Sequence, residues 1–297
     1  MGLNYWEARL IWEARCRGVS LANTLTVARL SLNLHPGEVA RLAAEHRRRF
    51  PDTERTPLAN YKFGDYVDEY LQSFAGVSSV TVMDYSSYEG ATLIHDLNKP
   101  VPDALHGKFD AVIEGGSLEH VFNYPTAVAS LMRMVKVGGS LFLSTPANNC
   151  CGHGFYQFSP ELMYRIFSEA NGFNLERAVL VEGVYPSFEL TSNRKAYEVL
   201  DPAEVGIRIG LVSKRPVMML IEATKIRDVI PFGSPPLQSD YVKVWDQARS
   251  KKQPGLAVRL KRMVERLPRF IQSPLMGLRL RRLYSFSNRR FYKPIPW

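Results

Sequence analysis

The middle of the chain alternates short apolar, β-branched runs with segments of helical periodicity. Four such runs cover residues 80–83, 91–94, 109–113 and 140–144, and residues 125–135 place their apolar side chains on one helical face. Short buried strands that alternate with amphipathic helices form parallel sheets covered on both faces. The pattern therefore predicts an α/β protein with a doubly wound, mostly parallel sheet.

Acidic residues stand where three of these predicted strands end, at Asp84, Asp96 and Glu114. Ligands of doubly wound sheets bind in the crevice beyond the carboxyl ends of the strands. We therefore expect a ligand site built around these three side chains.

The flanking segments extend the same pattern. Residues 24–28 form a β-rich run that suits a first strand, and helical spacing over residues 1–20 predicts a helix before it. Further helices are predicted over 36–49, 65–74 and 159–171, and further strands over 174–182 and 216–223. Together the predicted strands make a seven-stranded sheet.

Several features suit a cytoplasmic protein. Glu7 and Glu13 interrupt what would be the apolar region of a signal peptide. The chain contains no run of about 18 apolar residues, which a membrane-spanning helix would need. Its three cysteines, Cys16, Cys150 and Cys151, are too few for a disulfide framework and fit a reducing compartment.

Successive motifs in the chain resemble those of class I S-adenosylmethionine (SAM)-dependent methyltransferases. The motifs are the strand ending at Asp84, the His-Asp-Leu-Asn of 95–98, the Leu-Glu-His-Val of 118–121 and the Val-Gly-Gly of 137–139. A narrower likeness lies in residues 88–91, 148–149, 152–161 and 238–241. These stretches resemble little-characterised methyltransferase-like proteins associated with bacterial surface-polysaccharide genes.

The resemblance implies a Rossmann-like fold with SAM as cofactor. In this view residues 1–22 form an N-terminal helix, 23–230 the methyltransferase-like domain, 231–248 a connecting segment and 249–297 a basic helical extension. The implied activity is methyl transfer to a hydroxyl group of a saccharide or a lipid-linked glycan.

The resemblance also implies roles for individual residues. Asp84, with Tyr85 beside it, would accept hydrogen bonds from the ribose hydroxyls, because a carboxylate can take two vicinal donors together. Asp96 would receive the adenine amine while Leu97 packs on the ring. The residues expected near the methionine portion are Glu114, Gly115 and Gly116.

The chain departs from the family after its first strand, where a glycine-rich loop normally approaches the cofactor. Here the strand runs into Ala28 and Arg29 without a glycine. We expect both residues beside the cofactor. Arg29 could contact the cofactor carboxylate or could equally be a surface arginine.

Two histidines are candidates for removing a proton from the acceptor hydroxyl, because the unperturbed pKa of histidine is about 6.5. His120 follows the third acid-terminated strand, and His153 lies in a glycine-flanked loop. Tyr156 is the third candidate catalytic residue. The candidate acceptor-binding residues are Glu119, Asn148, Asn149 and Gln157. The alternatives are that His120 is a packed or surface residue, and that Tyr156 and Gln157 bind the loop backbone.

Rival enzyme classes lack their motifs in this chain. There is no nucleophile elbow, no P-loop and no Gly-x-Gly-x-x-Gly of a nicotinamide dehydrogenase. No His-Glu-x-x-His or paired Cys-x-x-Cys predicts a metal site. The remaining alternative is a methyltransferase-fold protein without transfer activity, acting as a binding or scaffold subunit in envelope-glycan biosynthesis.

The C-terminal 49 residues account for the net positive charge of the chain. Residues 249–297 contain fourteen Lys or Arg and one acid, Glu265, so their net charge is +13 in a chain whose total is +9. Apolar residues of 255–267 and 275–283 recur at helical spacing among these arginines. Such a segment suits peripheral binding to an anionic membrane on the cytoplasmic side. The alternative is a helix packed on the acidic body, and nucleic acid is the least favoured partner because no binding module accompanies the charge.

Overall fold

The computed structural model describes residues 2–51, 58–183, 195–249 and 269–297. Their strands are β1 (Gly2–Asn4), β2 (Asn23–Val27), β3 (Ser31–Asn33), β4 (Ser79–Asp84), β5 (Leu93–Ile94), β6 (Phe109–Gly115), β7 (Val135–Asn148), β8 (Phe173–Glu182), β9 (Lys195–Val199), β10 (Val217–Lys225) and β11 (Tyr292–Ile295). Their helices are α1 (Tyr5–Cys16), α2 (Pro36–Arg49), α3 (Asp68–Ser73), α4 (Tyr124–Met134), α5 (Pro160–Ile166), α6 (Pro202–Val205), α7 (Ser239–Arg249) and α8 (Arg269–Leu283). All seven predicted strands are present.

Nine strands form one mixed sheet in the order β11-β9-β8-β10-β7-β6-β2-β4-β5. The five strands β5, β4, β2, β6 and β7 are mutually parallel. They therefore follow the 3-2-1-4-5 order of a doubly wound nucleotide-binding sheet. The strand order reverses between β2 and β6, and this switch point is where such sheets bind ligands.

Both faces of the sheet are buried. On one face Val112 and Leu141 pack with Leu131 of α4, and on the other Ile113 and Phe142 pack with residues of α1, α2 and α3. Adjacent residues of one strand thus enter opposite cores, as the two-residue period of a strand requires. The continuous apolar runs of the sequence follow from this double coverage.

Local sequence signals set the starts of several helices. Asn4 accepts a hydrogen bond from the Trp6 amide while Glu7 accepts one from the Asn4 amide, which is a capping box before α1. Pro36 lies in the first turn of α2, where its missing N–H costs nothing. Ser159 caps α5 by accepting a hydrogen bond from the Leu162 amide.

The prediction of a seven-stranded, mostly parallel sheet was wrong in its strand number and in its proportion of parallel strands. Strands β9 and β11 extend the sheet by antiparallel pairing, and β1 and β3 form a separate two-stranded sheet. β11 was missed because its four residues, which include Pro294, lie in the basic tail. An edge strand tolerates proline because one side of its backbone has no partner strand.

The C-terminal segment folds onto the body of the protein. Phe291 and Tyr292 are fully buried. Trp297 stacks on Trp6 of α1 with ring centroids 5.6 Å apart, and its indole N–H donates to Glu13 at 3.0 Å. The predicted helical face within residues 255–267 lies outside the described residues.

Replacing Trp297 with alanine is expected to lower the free energy of unfolding by about 1–2 kcal/mol, because a half-buried aromatic stack and one hydrogen bond are lost. Urea unfolding followed by circular dichroism measures the change. Trp245, which is 50% exposed on α7, provides the matched control. A Trp245→Ala loss as large as that of Trp297→Ala would contradict the docking of the C-terminal segment.

Within the part of the chain that the structure describes, no helix combines the length and apolar character needed to cross a bilayer.

Candidate functional site

A cavity of about 280 Å³ opens at the switch point, beyond the carboxyl ends of β2, β4 and β6. It is lined by residues 27–28, 83–85 and 95–98 together with Ser117, His120 and Val121. Its volume lies just below the range of roughly 300–1,000 Å³ that is typical of small-molecule sites. Of the predicted site residues, the cavity brings together Ala28, Asp84, Tyr85, Asp96, Leu97 and His120.

Ala28 adopts the backbone conformation of a glycine at the edge of this cavity. Its φ is +65°, and its amide donates to the Met83 carbonyl at 2.7 Å, which ties the end of β2 to β4. Residues with a Cβ rarely adopt this left-handed conformation. The chain therefore makes the turn that normally carries glycine, but makes it with an alanine.

Replacing Ala28 with glycine is expected to raise the free energy of unfolding by about 1 kcal/mol. The strain of a left-handed non-glycine residue, about 1–3 kcal/mol, exceeds the entropy that glycine adds to the unfolded chain, about 0.5–1 kcal/mol. Thermal and urea unfolding measure the change.

Ala127 provides the control for Ala28, because it is buried within helix α4. Ala127→Gly is expected to lower the free energy of unfolding by about 1 kcal/mol. If both glycine variants are destabilised alike, Ala28 carries no strain.

Asp84 is half-buried at the end of β4, and its Oδ1 accepts a hydrogen bond from the Tyr85 amide at 2.5 Å. Among the described residues no hydrogen bond reaches its Oδ2. The carboxylate thus keeps acceptor capacity at the rim of the cavity. Tyr85 is 74% exposed beside it.

Asp96 and Leu97 form the opposite side of the cavity. The Asp96 Oδ1 accepts hydrogen bonds from the Asn98 backbone amide and side-chain amide, both at 3.0 Å. These two bonds lower the pKa of Asp96, so the side chain is a carboxylate at neutral pH. Leu97 is buried and supplies an apolar wall.

Glu114, Gly115 and Gly116 do not line the cavity. Glu114 is buried, and its Oε1 accepts hydrogen bonds from the backbone amides of Ser117 and Leu118. A Cβ at residue 115 would lie 2.9 Å from a methyl carbon of Leu30, so a larger residue there would displace the Leu30 side chain. The expected contact of these three residues with a methionine portion stays a prediction.

Arg29 pairs with another part of the protein. Its Nη2 lies 3.2 Å from both carboxylate oxygens of Asp68, and its guanidinium stacks 4.5 Å above the ring of Tyr66. Arg29 does not line the cavity. Of its two predicted roles, this placement favours the structural one.

Glu119, His120 and His153 meet beside the cavity, which His120 lines. Glu119 and His120 lie on a short turn after β6, and His153 lies on the loop after β7. The Glu119 side chain is fully buried, and its Oε1 lies 3.3 Å from the His153 Nε2. The two imidazole rings are 5.1 Å apart, edge to face.

The surroundings shift the pKa values of His120 and Glu119 in opposite directions. Burial lowers the pKa of His120, and His153 lowers it further, so His120 is neutral at physiological pH. Burial raises the pKa of Glu119, because removal from water disfavours its charged form. The cluster thus joins a neutral imidazole to a buried carboxyl.

The remaining predicted residues hold the loop after β7 in place. The Tyr156 hydroxyl donates to the Phe122 carbonyl at 2.7 Å, and the Gln157 side chain accepts from the Cys150 amide at 2.8 Å. The side-chain amides of Asn148 and Asn149 donate to the Leu211 and Arg215 carbonyls. All four bind loop backbone, which was the alternative stated above for Tyr156 and Gln157. Their acceptor-binding and catalytic roles stay predictions.

The sequence reasoning missed several lining residues, among them Asn98 and Ser117. Both lie within a few residues of an acid at a strand end. Extending the search from each acid through the following turn would have included them.

Solved structures similar to this chain include methyltransferases. A protein of Bacillus halodurans C-125 with a provisional methyltransferase assignment is 14% identical, with a TM-score of 0.42, over 74% of this chain and 99% of that one. A SAM-dependent methyltransferase of Thermotoga maritima is 14% identical, with a TM-score of 0.33, over 74% and 92% of the two chains. The 1,6-didemethyltoxoflavin-N1-methyltransferase of Burkholderia thailandensis, solved with S-adenosylhomocysteine, is 11% identical, with a TM-score of 0.36, over 74% and 79%.

No protein-family model matches the chain, and no curated protein matches it.

Proposed function

We propose that this protein is a SAM-dependent methyltransferase whose cavity binds the adenosine portion of the cofactor. The observation that carries the proposal is the position of Asp84, whose carboxylate stands at the end of β4 on the rim of a cavity at the switch point. A nucleoside presents two vicinal hydroxyl donors and an apolar base. Asp84 supplies the acceptor, and Leu97 and Val121 supply apolar walls.

The polar groups of the cavity fit the base as well. Asp96 is an ionised acceptor for an exocyclic amine, and the Asn98 side chain beside it is exposed on the same turn. The left-handed turn at Ala28 lets a ligand approach the backbone closely, because the side chain there is only a methyl group. These features support an adenosine site even though the glycine-rich loop is absent.

SAM supplies a methyl group on a positively charged sulfur, and its transfer to a hydroxyl forms an O–CH3 bond, breaks the S–CH3 bond and releases one proton. His120 lines the cavity and is neutral, so it can accept that proton. His153 is exposed beside it and can hold the hydroxyl-bearing acceptor, while the buried Glu119 carboxyl contacts His153 and positions its ring.

The proposed acceptor is a saccharide or a lipid-linked glycan. The resemblance carried by residues 152–161 supports this class, and the hydrogen bond from the Phe155 amide to the Glu119 carbonyl places that loop beside the candidate base His120. The test incubates the protein with SAM and panels of free and lipid-linked saccharides, and measures release of S-adenosylhomocysteine. If the protein binds SAM but releases no S-adenosylhomocysteine with any acceptor, the result would favour a binding or scaffold protein over an enzyme.

We also propose that the basic C-terminal segment contacts an anionic membrane surface. On α8 the side chains of Arg279, Arg281 and Arg282 are exposed, and Leu278 is 61% exposed among them. Each basic group near an anionic bilayer contributes about 1 kcal/mol. A truncation of the C-terminal segment would also remove β11, which is an edge strand of the sheet. The suitable comparison is therefore a triple Arg→Gln variant at Arg279, Arg281 and Arg282.

Flotation with vesicles containing anionic phospholipid tests the membrane proposal. The wild-type chain is expected to float with anionic vesicles and to remain in solution with neutral ones. The triple variant is expected to lose most of this binding. Equal flotation of both proteins would refute the proposal.

A further inference from the structure

The cluster of Glu119, His120 and His153 contains a buried carboxylate that accepts no hydrogen bond from the described residues. Both oxygens of Glu119 are inaccessible to solvent, and among the described residues neither makes a hydrogen bond. The 3.3 Å approach of the His153 Nε2 does not meet the geometry of one. A buried carboxylate without hydrogen bonds is costly, and native proteins compensate such groups with a cation or a metal.

The three side chains converge on one point. One potential ligand atom from each residue lies within 4.8 Å of those from the other two. Two ligands on a tetrahedral metal with bonds of about 2.0–2.1 Å are about 3.3 Å apart, which is the separation of the Glu119 and His153 atoms. His120 and His153 are exposed, so small rotations of their rings can complete the set.

Backbone contacts hold His153 against Glu119. The Phe155 amide donates to the Glu119 carbonyl at 2.7 Å. Gly154 has a φ of +72°, and a Cβ at this position would lie 2.7 Å from the same carbonyl oxygen. The loop can therefore reach Glu119 only because residue 154 is a glycine, and this contact places His153 before any ligand binds.

We propose that Glu119, His120 and His153 bind a divalent transition-metal ion, with coordination positions left open for the acceptor. Two imidazoles and one carboxylate suit Zn²⁺ or Fe²⁺, whereas Mg²⁺ and Ca²⁺ prefer sets made of oxygen alone. Three protein ligands with an open position are the arrangement of catalytic rather than structural sites.

The metal site would activate the acceptor of the proposed methyltransferase in place of His120 as the base, because a ligating His120 cannot also accept the proton, and to that extent it rests on the proposed function. His120 also lines the cofactor cavity, so the metal would adjoin the methyl donor. A hydroxyl bound at an open position has a lowered pKa and loses its proton to water. The resulting alkoxide attacks the methyl group, and the metal keeps its oxidation state throughout.

The test is calorimetric titration of the full chain, freed of metal by a chelator, with Zn²⁺ near neutral pH. We expect one Zn²⁺ per chain and no response to Mg²⁺. Co²⁺ in place of Zn²⁺ is expected to give visible absorption bands of a site with nitrogen and oxygen ligands. Glu119→Gln and His153→Ala are each expected to weaken Zn²⁺ binding by about 100-fold or more, since each removes one of three ligands.

The matched control replaces the neighbouring thiols, Cys150 and Cys151, with serine, because they are the soft ligands closest in sequence to His153. This double variant is expected to bind Zn²⁺ as the wild type does. His153 is exposed, so His153→Ala should fold even if Glu119→Gln does not, and thermal unfolding checks both.

Three outcomes would overturn the metal site: no stoichiometric Zn²⁺ binding, binding unchanged in His153→Ala, or binding lost only in the cysteine variant. Titration with S-adenosylhomocysteine on the same preparation separates this inference from the proposed function. Cofactor binding without Zn²⁺ binding refutes only the metal site. Zn²⁺ binding without cofactor binding supports the metal site and refutes the proposed function.

Discussion

Asp84→Ala is expected to weaken S-adenosylhomocysteine binding by about 100-fold. The Asp84 carboxylate stands on the rim of the cavity with acceptor capacity that no described residue uses. Hydrogen bonds to a charged group contribute about 1.5–3 kcal/mol each, and tenfold in affinity corresponds to about 1.4 kcal/mol. Asp84→Ala removes two hydrogen bonds to the ribose, and the partial exposure of the site reduces the free energy that each contributes. The expected result is therefore a rise of about 100-fold in the calorimetric Kd.

Two further variants make the Asp84 result specific. Asp84→Asn keeps the shape and one acceptor oxygen, so its affinity should fall between those of the wild type and the alanine variant. Asp103→Ala removes an acid whose side chain is 97% exposed and lies outside the cavity lining, and it should bind as the wild type does. An Asp84→Ala protein that is folded and retains wild-type affinity would contradict the assigned ribose contact.

Arg17→Ala is expected to lower the free energy of unfolding by about 2–3 kcal/mol. Arg17 donates through one nitrogen to both oxygens of Glu222, at 2.5 Å each, and the Glu222 side chain is only 1% exposed in the middle of β10. Breaking a buried pair from one side costs about 3–5 kcal/mol, because the remaining charge is left without a partner. The value is smaller here because Arg17 is 45% exposed.

The Arg17 effect should depend on pH. Burial raises the pKa of Glu222 even with Arg17 beside it. A folded-state pKa above the unfolded value means that the contribution of Glu222 to stability is full at acidic pH and is lost as the pH rises through the folded pKa. Without Arg17 that pKa rises further. The difference between the two proteins should therefore be small near about pH 4 and full near neutral pH.

Urea unfolding across this pH range measures the Arg17 effect. The control is Arg208→Ala, which breaks an ion pair in which the Arg208 side chain is 56% exposed, and it should change the free energy of unfolding much less than Arg17→Ala does. Arg17→Met combined with Glu222→Leu should recover most of the stability, since no charge is then buried alone. A pH-independent loss in Arg17→Ala would contradict an electrostatic cause.

The sequence was sufficient to predict the central strands and the acids at their ends. Strands buried on both faces are continuous apolar runs, so β4, β6 and β7 stand out, and the polar residues that follow them mark the ligand edge. The edge strands β9 and β11 carry polar and basic residues with a proline, so they lack this pattern. Their pairing depends on tertiary contacts such as those of Tyr292.

The chemistry of the site was less accessible to sequence reasoning. The left-handed turn at Ala28 contradicts the local preference of alanine and results from its position between β2 and β4. Glu119 and His153 are far apart in the chain and meet only because the loop folds back over the turn after β6. No spacing rule relates such residues, and so no metal site was predicted from the sequence.

A crystal structure of the full chain with S-adenosylhomocysteine would decide whether the cavity is an adenosine site. We expect adenosine density in the cavity between β2, β4 and β6, with both ribose hydroxyls within hydrogen-bond distance of the Asp84 carboxylate and the adenine against Leu97. Ligand density elsewhere on the protein would contradict the adenosine site. So would a cavity that stays filled by side chains in a crystal grown with saturating S-adenosylhomocysteine.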